Sequence, residues 1–289
     1  MKKEIRSIYE IKLEFDSKTE NPSRLFQSFA DIIDSVSNLD RILAQSVDTK
    51  VTSRIFLDDI EKGSLIAKLW DELIISEDGK IDSIESPISV QEYVEETRAL
   101  TLDFVTNKES SIRNLEKLTE QISNVAKEKE LDKTFNYAEP NLLDLAKSIN
   151  LIVDSTKNLT DKESFSVKSP NREVKEINSS SQKIDLEAVE NTLTDQEITN
   201  ESTIFYKIKR PDFLGDSQWE FKHGSKAIKI KILHDEWLEK FHNGSKVVLP
   251  GDSLKVKIKQ TNKYNKNGYL ISEKIEIIQV LDIIRNDAL

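Results

Sequence analysis

The chain has 289 residues, 42 Lys and Arg against 52 Asp and Glu, and no cysteine. Without thiols, disulfides, cysteine nucleophiles and thiolate metal sites are excluded. No apolar run approaches the roughly 18–20 residues of a membrane helix, and Met1-Lys2-Lys3-Glu4-Ile5-Arg6 leads straight into a strand pattern with no apolar signal core, so a cytoplasmic chain with no membrane contact is expected.

The net charge of −10 is unevenly spread. Residues 201–289 carry 16 Lys and Arg against 12 Asp and Glu, a surplus of four, which leaves the first 200 residues at −14. Bulk attraction of the whole molecule to nucleic acid is disfavoured, while a local basic face toward the C-terminus stays open.

Tyr9, Ile11, Leu13 and Phe15 alternate with Glu10, Lys12 and Glu14, a period of two that predicts a half-buried strand. Asn21-Pro22 then supplies an N-cap and a proline at the first helical position. Phe26, Phe29, Ile33, Val36, Leu39 and Leu43 follow at helical spacing. Val51, Ser53, Ile55 and Leu57 alternate again, as do Leu65, Ala67 and Leu69, with Glu61-Lys62-Gly63-Ser64 as the turn of a hairpin. Trp70 is either a core plug or an interface anchor.

From Ser89 the period becomes helical, and Ser89 with Glu92 has capping-box spacing. Tyr93, Val94, Leu100 and Phe104 mark one helix, and Ile112, Leu115, Leu118, Ile122 and Val125 a second. Leu142, Leu145, Ala146, Ile149 and Val153 after Pro140 mark a third. These helices pack either on the sheet or on a second copy of the chain. Residues 155–201 are polar and lack glycine, which reads as a linker; Phe165 and Val167 suit a short strand there, and Ile184 to Leu193 a short helix.

Toward the C-terminus, Thr203 to Arg210, Trp219 to Phe221, Ala227 to Leu233, Leu254 to Ile258 and Tyr269 to Ile284 read as strands. His234 to His242 reads as a helix closed by Gly244. The expected fold is therefore α+β. A β-α-β-β unit spans 1–80, a helical arm 88–154, a linker 155–201, and a small barrel of the OB or SH3-like kind 202–289.

Three sets of residues are candidates for chemistry. Lys229, Lys231, Lys255, Lys257 and Lys259 can line adjacent strands as a cationic stripe, with Trp219, Tyr264 or Tyr269 nearby, which would suit a nucleic-acid backbone. The other reading is the wet face of a half-buried sheet, where lysine discourages edge pairing. Asp212, Glu220 and Lys222 form a P-D-x7-E-x-K pattern, the residue types of a Mg²⁺-dependent nuclease, with two carboxylates for the ion and a lysine for the water. The competing reading is a turn aspartate and a solvated strand. His234 and His242 are eight residues apart, about 12 Å along a helix, too far to share a metal. No phosphate-cradling glycine motif occurs, so no cofactor is expected.

Trp219-x-Phe221, Asp235-x-Trp237-Leu238 and Pro250-Gly251-Asp252-x-Leu254-x-Val256 resemble the C-terminal module of a family of prokaryotic proteins that travel with mobile elements and phage-defence loci. Asn21-Pro22-Ser23-Arg24 and Glu61-Lys62-Gly63-Ser64-Leu65 resemble the front of the same proteins. The likeness covers most of the chain except the linker. It implies a role in phage–host conflict, as a defence component or a phage-encoded inhibitor, and it carries no catalytic residues. The expected function is a non-enzymatic interaction protein with a protein partner and self-assembly through its acidic front. The barrel at 201–289 would bind another macromolecule, nucleic acid among the candidates. The nuclease is the enzymatic alternative.

Overall fold

A computed structural model describes residues 7–16, 18–19, 21–60, 65–77, 80–83, 88–107, 110–169, 172–173, 176–215 and 217–286. The expected turn at 61–64 lies outside these residues, and so does the side chain of Trp70. The chain is α+β and divides into two compact units, Met1–Val189 and Glu190–Leu289.

Alternation builds the sheet of the first unit. β1 (Ser7–Glu14) buries Tyr9, Ile11 and Leu13 completely and leaves Glu10, Lys12 and Glu14 half-buried on the other face. β2 (Val51–Ile60) and β3 (Leu65–Glu77) form the expected hairpin, and β4 (Lys80–Ser83) pairs with the end of β3. β5 (Ser164–Ser169) lies on the other side of β1, followed by the short β6 (Arg172–Glu173) and β7 (Ile177–Asn178), both paired to β5. The order β2-β3-β1-β5-β6 is antiparallel throughout. Tyr9 is in register with Leu69, Ile11 with Ala67 and Val167, and Leu13 with Phe165, so one apolar layer crosses three strands.

The helices complete that core within the chain. α1 (Pro22–Val47) packs on β2, on α2 (Ile88–Thr106) and on α5 (Leu142–Ser155); α3 (Ile112–Glu128) packs on α2 and α5, with the single turn α4 (Leu131–Thr134) after it. The helical arm is thus an intrachain layer. Leu25, Phe29, Ile32, Val36, Leu39 and Leu43 are the buried stripe of α1, while Phe26 is 62% exposed. Ser89 sits inside α2 rather than at its cap, because the helix begins at Ile88. The cap expected from Pro140 comes from Asn141, whose side chain accepts from Leu143 N and Asp144 N.

A buried ion pair joins α1 to α2. Arg98 Nε donates to Asp40 Oδ1 at 2.6 Å, both side chains are essentially inaccessible, and the guanidinium lies 3.9 Å from the centre of the Tyr9 ring. Removing one member of such a pair strands the other charge in a dry interior.

Residues 155–201 are not a linker. Phe165 and Val167 are core residues of β5. Asn150 holds the following segment by a two-way exchange, donating to Ile184 O and accepting from Ile184 N. The division between units falls inside α6 (Leu186–Leu193). The composition misleads because β5 contributes only one strand face to an existing core.

The second unit is a closed five-stranded barrel. β8 (Gln196–Arg210), β9 (Trp219–His223), β10 (Lys226–Ile232), β11 (Ser253–Tyr264) and β12 (Leu270–Ile284) close in the order β10-β12-β11-β8-β9, and α7 (Asp235–His242) lies between β10 and β11. All pairs are antiparallel except β10 with β12. Numbered within the barrel, the circuit is first, second, third, fifth, fourth, with the helix after the third strand. That is OB-fold connectivity rather than SH3-like. Inside are Trp219, Phe221, Trp237, Phe241, Tyr206 and a ring of Ile, Leu and Val.

One contact in the first unit makes its stability sensitive to acid. Arg24 grips both oxygens of Glu163, at 2.6 and 2.7 Å, and Thr160 N donates to the same carboxylate at 2.8 Å. Arg24 first, then Thr160, holds the Glu163 carboxyl at about 2 despite its burial. A carboxylate with a depressed folded value stabilises the fold above its unfolded value, about 4.3. That stabilisation is lost as pH falls toward 2. Urea unfolding should show wild type losing about 2 kcal/mol more than Glu163→Gln between pH 5 and pH 2. Parallel pH profiles for the two proteins would contradict this.

Candidate nucleic-acid interface

Alternation along each barrel strand decides which lysines face water. On β11, Leu254, Val256 and Ile258 are buried, and Lys255, Lys257 and Lys259 point outward. On β10, Ile230 and Ile232 are buried, and Lys229 and Lys231 point outward. The expected single stripe of five does not form, because β10 and β11 are not neighbours: β12 lies between them. Glu276 on β12 is in register with both Lys231 and Lys259.

Each β11 lysine has an acid beside it. Lys259 faces Glu201 on β8 and Glu276 on β12, Lys257 makes an ion pair with Glu201, and Lys255 faces Asp282. Such a face is close to neutral at the scale of one phosphate, so it matches the wet-face reading of these three residues.

A different set of cations comes together on β8, β9 and β10. Lys207 is in register with Lys222, and Lys222 with Ala227. In the next row a bulge at Lys209 sets Arg210 opposite Glu220, which is opposite Lys229. Lys207, Lys209, Arg210, Lys222 and Lys229 are exposed, and Lys231 is half-buried at the end of the same face. Neighbouring strands are about 4.8 Å apart, so adjacent cations lie within one Debye length, about 8 Å at physiological salt, and their potentials add. Phe205, 56% exposed, stands two residues before Lys207 on this outer face, with Lys255 Nζ 5.8 Å from its ring centre. Lys207, Lys209, Arg210 and Phe205 were not singled out from the sequence. Their parity in β8 was legible there, but their register against Lys222 and Lys229 was not.

Asp212 and Glu220 line a depression of about 450 Å³ at one end of this face, with Arg210, Pro211, Ser217, Gln218 and Lys229. Both carboxylates are already engaged. Asp212 Oδ1 accepts from Leu214 N and Gly215 N, and Oδ2 from Ser217 N, each at 3.0 Å. Ser217 and these backbone amides hold its carboxyl well below the usual range, which is the signature of a loop-organising aspartate. Glu220 Oε1 accepts from Lys209 Nζ at 2.5 Å, and Arg210 Nε lies 3.9 Å from Oε2. Lys222 does not line the depression. Among the described residues no group of three or more His, Asp or Glu is placed to hold a metal. His234 Nδ1 accepts from Val280 N, and His242 Nε2 lies 3.2 Å from Asp212 O, so each histidine serves the barrel's own packing.

Trp219 is 1% exposed and cannot stack a base. Its ring packs against Phe221, Trp237 and Phe241, with centroids 6.1, 5.7 and 4.8 Å away. The adjacent Pro250-Gly251-Asp252 turn is also structural. Asp252, 2% exposed, accepts from Leu249 N, Asn286 N and Arg285 Nη1, so it ties the chain after β12 to the start of β11. Gly251 has φ 95°, and a Cβ there would lie 2.4 Å from Asn286 Nδ2, so the turn needs glycine.

No family model, curated protein or solved structure matches the chain. The likeness to mobile-element and defence proteins therefore rests on its motifs alone, and the barrel motifs are residues that fold a barrel. Asp252→Ala should destabilise the barrel by about 2 kcal/mol, since it removes three hydrogen bonds, from Leu249 N, Asn286 N and Arg285, that tie the two strand ends together. Chemical denaturation followed by tryptophan fluorescence measures it, and a loss below about 1 kcal/mol would contradict the clamp.

Proposed function

We propose that the barrel binds single-stranded nucleic acid across the outer face of β8, β9 and β10, and that the chain acts as a binding protein rather than a catalyst. One observation carries this reading: five exposed cations on three adjacent strands surround Glu220, with Asp212 at one end of the face and exposed Phe205 beside them. A backbone of phosphates needs a cationic track, and unpaired bases need an aromatic ring to stack on. In OB-fold barrels the face of the second and third strands and the loop between the first and second form the usual binding surface. Here those are β9, β10 and the loop at 211–218. Exposed Phe213, in that loop and stacked on Phe241 at 5.4 Å, extends the aromatic surface.

The nuclease alternative is weaker because its two carboxylates are spent on the loop and on Lys209. The whole unit is close to neutral, with 16 Lys and Arg against 15 Asp and Glu over residues 190–289. Binding thus depends on where the charges lie and not on their sum.

A labelled oligothymidylate titrated with the full chain tests this. Affinity should fall steeply with salt, by about 0.7 in log–log slope for each phosphate contacted. The double variant Lys222→Glu, Lys229→Glu should bind at least about tenfold more weakly, while Lys257→Glu, Lys259→Glu should change affinity by less than about twofold. Equal losses from the two pairs, or no binding at low salt, would contradict the proposal.

A further inference from the structure

Glu220 stands in register with Arg210 on one side and Lys229 on the other, inside the cationic face. Its side chain is 16% exposed, Lys209 Nζ is bound to one oxygen, and Arg210 Nε lies near the other. Lys229 stands opposite it on β10 and lines the same depression. Three cations from two strands thus converge on one carboxylate, an arrangement that also describes a bound phosphate. Lys209 above all, then Arg210 and Lys229, hold the Glu220 carboxyl below its ordinary range, so it is fully ionised at neutral pH.

We infer that Glu220 occupies in the free barrel the place taken by one phosphate of a bound strand, and so acts as a built-in competitor that sets affinity. The inference rests on the β8–β10 face being the nucleic-acid site. A phosphate arriving at the depression meets Lys209 already bonded to Glu220 and Arg210 drawn toward it. It must either displace them from Glu220 or forgo that contact. The bound strand then gains less than the count of cations suggests, and release stays fast. Like-charge repulsion among Lys209, Arg210 and Lys229 is also relieved when no ligand is present. A residue that reads a base would behave oppositely, because its carboxylate would be needed in the complex.

The experiment measures binding of oligothymidylate by the full chain and by Glu220→Gln across a salt series. The variant should bind about five- to tenfold tighter near 100 mM salt, and its slope should steepen by about 0.7, one additional phosphate contact. Lys209→Gln supplies a second, independent arm. It should weaken binding in the wild-type background, and by about threefold more in the Glu220→Gln background, where Lys209 has no carboxylate to hold it back from the phosphate. Melting curves for each variant confirm that the barrel is intact. Unchanged or weaker binding by a folded Glu220→Gln protein, or the same Lys209→Gln effect in both backgrounds, would overturn the inference while leaving the interface standing. Failure of both wild type and Glu220→Gln to bind would remove the interface and the inference with it.

Discussion

The barrel closes through two residues of parallel pairing. Lys231 meets Glu276 and Ile232 meets Ile277. Leu233 N then donates to Ile277 O at 2.8 Å, and Val280 N to His234 Nδ1 at 3.0 Å, which lock the end of β10 and the start of α7 onto β12. Closure removes the open edge that a curled five-stranded sheet would present. It also fixes the circuit, and the circuit decides which outward side chains are neighbours. With β12 inserted between β10 and β11, Glu276 separates two lysine groups that look equivalent in the sequence. One group is offset by Glu201, Glu276 and Asp282 on the flanking strands. The other joins Lys207, Lys209, Arg210 and Lys222.

The aromatic core makes that closure rigid. Trp219 and Phe221 point inward from the strand whose outward residues are Glu220 and Lys222. The same alternation that buries one pair must expose the other, so the cationic face and the core are two faces of the same five residues. Trp237 and Phe241 of α7 plug the barrel beneath them, and Phe213 in the 211–218 loop stacks on Phe241. Asp212 shapes that loop from within. The depression beside Glu220 is thus walled by this loop, β9 and β10.

Local pattern was legible and register was not. The β1 alternation, the Pro22 helix start, the β2–β3 hairpin and the inserted α7 all read correctly, because each depends on neighbours within a few residues. Phe165 and Val167 read correctly as a strand, yet their segment read as a linker. Their partners, Leu13 and Ile11, are about 150 residues away. Trp219 read as a surface aromatic for the same reason: nothing nearby in the chain tells that Trp237 and Phe241 fold back onto it. Asp212, Glu220 and Lys222 resembled a metal site by type and spacing. Their hydrogen bonds, to backbone amides and to Lys209, are what separate a loop and a salt bridge from a cation site.

The account stands on one face of one barrel carrying the ligand. Lysine acetylation followed by mass spectrometry, with and without saturating single-stranded DNA, reads that face directly. Lys207, Lys222 and Lys229 should be protected in the complex, while Lys257 and Lys259 keep the reactivity they have in the free protein. Protection of the second group instead, or of neither, would contradict it.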